Sequence, residues 1–196
     1  RLSPGPKLRF GTLLVVGEDR MRERRIRKIA GLHEGETFSE TELLRAETRL
    51  RRTGIFASVA LTEDEMVTAP DLLGITATVV EQKPRRYSLG VEVASLDGVS
   101  LSGAWVHRNL LGGGERLGIT GDVTNIGSGE SGVDYGLQVT LDRPATLTPD
   151  TTAGLVLGYS HEDEIDYSLD ALEFGLRFSH VFSEKLTARA GISYNY

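Results

Sequence analysis

The densest run of potential metal ligands is His161, Glu162, Asp163, Glu164 and Asp166. Hard divalent cations need oxygen clusters, but this run lacks the glycine and spacing of an EF-hand loop. An acidic, solvated loop is expected there, and no metal. Gly112-Gly113-Gly114 has the freedom of a phosphate cradle, yet no Gly-Lys-Ser/Thr ending follows and strand-like segments flank it. It reads as a hairpin turn. Arg20, Arg22, Arg24, Arg25, Arg27 and Lys28 form the strongest basic cluster. At helical spacing it can serve acidic partners or lipid headgroups, or simply be a solvated helix surface. His33, His107, His161 and His180 are scattered without ligand spacing, and no Ser/His/Asp set can be assembled. The chain contains no cysteine, which removes disulfides, thiolate metal sites and cysteine nucleophiles. Neither an enzyme nor a cofactor is expected.

The elements that carry these residues fall into two unlike parts of the 196-residue chain. Residues 1–82 hold 13 Lys+Arg against 13 Asp+Glu, whereas 83–196 hold 9 against 15, so the whole net charge of −6 lies in the second part. Of the 23 glycines, 7 fall in the first part and 16 in the second, which sets a boundary near Gln82-Lys83-Pro84. The acidic balance argues against nucleic acid. No stretch approaches the roughly 18 apolar residues of a membrane-spanning helix. Arg1 is not preceded by a basic-then-apolar leader, as expected of a processed or excised piece.

Residues 1–82 read as β-α-α-β-β. Lys7–Val16 is a strand with Leu8, Phe10, Leu14 and Val16 on one face, ended by Gly17. A helix follows from about Arg20 to Ala30, with Ile26, Ile29 and Ala30 inward and Gly31 as its stop. Ser39 and Glu42 make a capping box for a second helix carrying Leu43, Ala46 and Leu50, which Gly54 ends. Ile55–Leu61 and the alternation of Leu73, Ile75, Ala77 and Val79 supply two more strands. Two helices on one face of a three-stranded sheet leave one edge open for another strand.

From Arg86 the period is two. Tyr87, Leu89, Val91 and Val93, then Leu117, Ile119 and Val123, then Val133, Tyr135, Leu137, Val139 and Leu141 alternate with polar residues and glycine. Leu155, Leu157 and Tyr159, then Leu172, Phe174, Leu176 and Phe178, then Leu186, Ala188, Ala190, Ile192 and Tyr194 do the same. With the segment around Trp105, whose direction the pattern does not settle, this makes about seven strands in an antiparallel meander. A soluble sandwich shares that period. Three features favour a transmembrane barrel: nine residues tilted at about 45° cross roughly 21 Å, aromatics recur on the apolar face, and the other face mixes glycine with charge. Seven strands do not close a barrel, since bacterial ones have even counts. The expected architecture is an α+β domain over 1–82, followed over 83–196 by part of an antiparallel transmembrane β-barrel.

The β-α-α-β-β unit, the segment Arg86-Tyr-Ser-Leu-Gly-Val-Glu-Val and the run Gly103-Ala-Trp-Val-His-Arg-Asn-Leu-Leu-Gly-Gly-Gly-Glu-Arg-Leu117 resemble the outer-membrane assembly superfamily of BamA and TamA. Gly5-Pro-Lys-Leu-Arg-Phe-Gly11 and the Leu50–Val59 stretch are most similar to the last POTRA domain of TamA. The resemblance implies a periplasmic POTRA domain and the first strands of a barrel in the bacterial outer membrane. It also implies a non-enzymatic factor that inserts β-barrel clients such as autotransporters, with a TamB-like periplasmic partner and outer-membrane lipids around it. Client pairing at the lateral gate falls on the first barrel strand, here Tyr87, Ser88, Leu89, Gly90, Val91, Glu92 and Val93, and partner pairing on the POTRA edge at Phe56, Ala57, Ser58 and Val59. A two-partner secretion pore passing an unfolded exoprotein, a BamA-type general insertase and a soluble β-rich adhesin are the rival expectations.

Overall fold

A computed structural model describes residues 7–68, 71–129 and 132–196. The order is β1 (Arg9–Val16), α1 (Glu23–Ala30), α2 (Glu40–Arg52), β2 (Phe56–Thr68), β3 (Leu72–Glu81), then β4 (Arg85–Ala94), β5 (Gly98–His107), β6 (Arg116–Ile126), β7 (Asp134–Arg143), β8 (Thr151–Asp163), β9 (Ser168–Ser183) and β10 (Leu186–Asn195). Two compact units result. The first holds the chain through Gln82 together with Leu111–Gly114 and Pro144–Asp150; the second holds the remainder.

In the first unit, β3 is central: it pairs parallel with β1 and antiparallel with β2. Both β1 and β2 are therefore edges, where one open edge was expected. The chain itself covers part of the β1 edge. Phe10 N–H donates to the Glu36 carbonyl, Gly35 N–H to Phe10 and Phe38 N–H to Leu8, at 2.8–2.9 Å. Leu73, Ile75, Ala77 and Val79 are buried as their alternation predicts. The predicted face of β1 is wrong beyond Phe10. Register shifts between Phe10 and Leu13, so Leu13 and Val15 enter the core while Leu14 and Val16 point outward. One extra residue in a strand inverts every later side chain. Gly11 sits in that irregularity, where a Cβ would lie 3.0 Å from the Leu73 carbonyl oxygen.

The first helix starts three residues later than its composition suggests, at Glu23. Asp19, Arg20 and Met21 form a turn instead, all three donating backbone N–H to Oε1 of Glu81 at 2.8–3.1 Å. The capping box is absent: Ser39 makes no side-chain cap, and Glu42 accepts from Arg49 at 2.7 Å and Arg45 at 3.2 Å. Charge-assisted bonds to guanidinium outcompete a backbone donor. Gly31 ends α1 at φ 70°, its N–H on the Arg27 carbonyl. It serves twice, since a Cβ there would also lie 2.6 Å from Pro149 Cγ.

The second unit is one seven-stranded antiparallel sheet in the order β10-β9-β8-β7-β6-β5-β4. Its register explains the alternation. Tyr87, Trp105, Ile119, Val139, Leu157, Phe174 and Tyr194 form one continuous apolar row across all seven strands. Trp105 therefore belongs to the apolar face. The adjacent row reads Leu117, Leu141, Leu155, Leu176 and Ile192. The opposite face interleaves Ser, Thr, Gln, Gly and charged residues. Gly154 leaves space for Arg177 to reach across β8 and grip Asp142 on both oxygens, at 2.7–3.0 Å; a Cβ at Gly154 would lie 2.4 Å from Asp142 Oδ1.

Candidate functional site

The first barrel-type strand, β4, stands at the outer edge of the sheet. It pairs on one side only, with β5, in unbroken register from Arg85–His107 to Ala94–Gly98. Tyr87, Ser88, Leu89, Gly90, Val91, Glu92 and Val93 thus lie on one exposed ten-residue strand, and Leu89 is 92% exposed. Among the described residues nothing pairs with the other side of β4. Half of its backbone donors and acceptors point away from β5, which makes the strand a template for another. In hydrocarbon each such group costs several kcal/mol until it is paired. A Gly90 Cβ would meet Ser102 Oγ at 2.6 Å, so glycine here allows close approach of β5. The second edge is β10, exposed along its whole length.

The other predicted stretch, Phe56, Ala57, Ser58 and Val59, lies on edge strand β2 but is less free. Phe56 and Val59 are buried in the core. Gln82 Nε2 donates to the Phe56 carbonyl at 3.2 Å, and Arg51 Nη2 to the Val59 carbonyl at 3.0 Å. Side chains of the unit itself take two acceptors that an added strand would need.

The basic cluster has a use the sequence did not reveal. Arg25 is only 5% exposed; its Nε donates to the Gly113 carbonyl at 2.8 Å and its Nη2 to the Pro144 carbonyl at 2.7 Å. Arg22 donates to the carbonyls of Leu111 at 3.0 Å and Gly112 at 3.3 Å. Arg27 pairs with Glu23 within the helix. Two of the six cations therefore hold Leu111–Gly114 and Pro144 inside the first unit, rather than waiting for a partner. Arg49 and Arg52 hold the rest of that segment through Asp150, at 2.9 and 3.1 Å, and Ala145 is fully buried in the core. Burial would raise the Asp150 pKa, but hydrogen bonds from Arg49 and Arg52 outweigh it and leave the carboxyl below its ordinary value. Arg49 is likewise raised, its desolvation outweighed by Asp150 and Glu42.

The run expected as an acidic solvated loop is only partly one, since Glu164 and Asp166 lie between β8 and β9. His161, Glu162 and Asp163 belong to β8, and His161 Nδ1 lies 2.9 Å from Asp170 Oδ1. No group of three metal ligands occurs among the described residues. Gly112-Gly113-Gly114 connects β5 to β6 as a turn, with positive φ at Gly112 and Gly114.

A family model described as POTRA, surface antigen variable number repeat, matches residues 8–82. No match to the chain is found among curated proteins. Among solved structures, the chain is similar to BamA from Haemophilus ducreyi lacking POTRA domains 1–3, at 20% identity and TM-score 0.70, covering 97% of this chain and 36% of that one. It is also similar to CdiB from Acinetobacter baumannii, at 9% identity and TM-score 0.73, covering 96% of this chain and 39% of that one. At those identities the likeness is one of fold. The amino-terminal unit is a POTRA domain, and the open seven-stranded sheet after it matches part of a BamA-like barrel.

Proposed function

We propose that this chain is the POTRA-and-first-strands portion of a bacterial outer-membrane assembly or translocation factor, with the POTRA domain in the periplasm. It has no enzymatic activity; its work is to offer strand β4 to the strand of a β-barrel client. The single observation that carries this is β4: a ten-residue edge, unpaired on its outer side among the described residues, in a sheet with one apolar row that runs unbroken to it. The sequence resemblance to TamA narrows the clients to autotransporters and the periplasmic partner to a TamB-like protein, with outer-membrane lipids against the apolar face. A second reading, a secretion pore for an unfolded exoprotein, draws on the other face, which is polar along all seven strands.

The chain contains no cysteine, so single-cysteine variants give clean cross-links. With Val91→Cys in lipid vesicles, a client's terminal strand carrying one cysteine should form a disulfide adduct, whereas Val139→Cys in central strand β7 should not. Equal labelling at both positions, or none at Val91→Cys, defeats the pairing mechanism.

A further inference from the structure

On the polar face of the seven-stranded sheet, charge is sorted by position along the strands. Following the register from the end where β4 begins, Arg189 comes first, then the row of Arg116, Asp142 and Arg177, then Arg86. Beyond them come Glu173, then Asp122, then Glu92, Asp134 and Glu162. Every arginine of this face lies in the first half, and Asp142 there is already gripped by Arg177. Every other carboxylate lies in the second half. Arg116 and Asp122 are six residues apart on β6, about 20 Å at 3.3 Å per residue. Gly118 and Gly175, in the row of Arg86, and Gly158, in the row of Glu173, carry no side chain where the two zones meet.

We propose that this face is an electrostatic track for an extended polypeptide of segregated charge, with an acidic stretch against the arginine zone and a basic stretch six to eight residues away against the carboxylate zone. A nucleic acid satisfies only the arginine zone and is repelled by the other; a uniformly cationic chain meets the reverse. Only a polymer carrying both signs at that spacing complements the whole face. An extended peptide has the matching rise per residue. The proposal rests on the barrel reading, which turns this face to the lumen, and on the secretion-pore reading, which makes the cargo an unfolded polypeptide.

The test uses the full chain folded in detergent micelles and two fluorescent peptides of identical composition. One has a glutamate block, a serine spacer and a lysine block; the other alternates the same residues. The segregated peptide should bind about tenfold more tightly, and about 1 M salt should remove that preference. Arg116→Glu with Arg189→Glu should abolish it, as should Glu92→Lys with Asp122→Lys, all four being exposed side chains. Equal binding of both peptides, or a preference that survives both reversals, overturns the track and leaves the wall to mobile counter-ions. The Val91→Cys cross-link reads the β4 edge, not this face, so either result can fail without the other.

Discussion

Arg25 shows how far a residue's type can mislead about its role. Within a run of six cations it resembles surface charge, yet it is buried against two carbonyls contributed by residues 88 and 119 positions away. Arg25→Ala leaves those acceptors buried and empties a guanidinium-sized space. It should lower stability by about 3 kcal/mol, seen as an earlier melting transition of the whole chain. Arg24→Ala, on the exposed side of the same helix, should shift it by less than about 0.5 kcal/mol. Asp150 offers a pH handle. Pairing with Arg49 and Arg52 lowers its folded-state pKa, so its contribution is fully present above the ordinary value of 3.8 and is lost as pH falls through the depressed one. Amide protection factors at Thr146 and Thr148, taken against the intrinsic rate at each pH, should therefore fall as pH drops below 3.8, and Asp150→Asn should give low protection already at neutral pH. Protection factors in the wild type that do not change with pH contradict this assignment.

The strands were legible at the scale of the element because alternation is a local code, and their rows follow once antiparallel order is assumed. What was not legible depends on single insertions and distant partners. The bulge after Phe10 inverts β1, and no local signal besides Gly11 marks it. The capping box failed because Arg49, seven residues beyond Glu42, competes for its carboxylate. The β4 edge could be named from order alone; the obstruction of Phe56 and Val59 by Gln82 and Arg51 could not, because both blockers are long side chains with free choice of rotamer. On the apolar face, Leu157 lies mid-row with Val139 and Phe174 on either side. Leu157→Arg should cost about 2–4 kcal/mol in folding into lipid, measured by urea titration in vesicles. The same change at Val156, on the polar face, should cost far less. Equal costs would mean that the two faces see the same solvent.

For the whole molecule, the decisive contrast is between an apolar face that spans seven strands and a POTRA unit with a closed core. Chain reconstituted into vesicles and then treated with protease should retain a protected segment beginning near Arg85, while residues 8–82 are digested. Cleavage throughout, or resistance throughout, contradicts the membrane reading. Composition places a boundary near Gln82. It did not show that Leu111–Gly114 and Pro144–Asp150 complete the first unit, because nothing in a turn's own residues says whose core Ala145 will enter.

That discontinuity has a consequence for the order of events during biogenesis. A chain delivered amino end first presents Met21, Ile55 and the guanidinium of Arg25 long before residue 145 arrives. The first unit therefore waits, partly built, while β4, β5, β6 and β7 emerge between its pieces. Its last contacts carry high contact order, and such contacts form late. The interval before closure is when exposed edges are most open to wrong partners, and so when a chaperone would be needed. A pulse-labelling experiment on refolding chain should accordingly find α1 amides protected in two phases, the slower one keeping pace with strand β7.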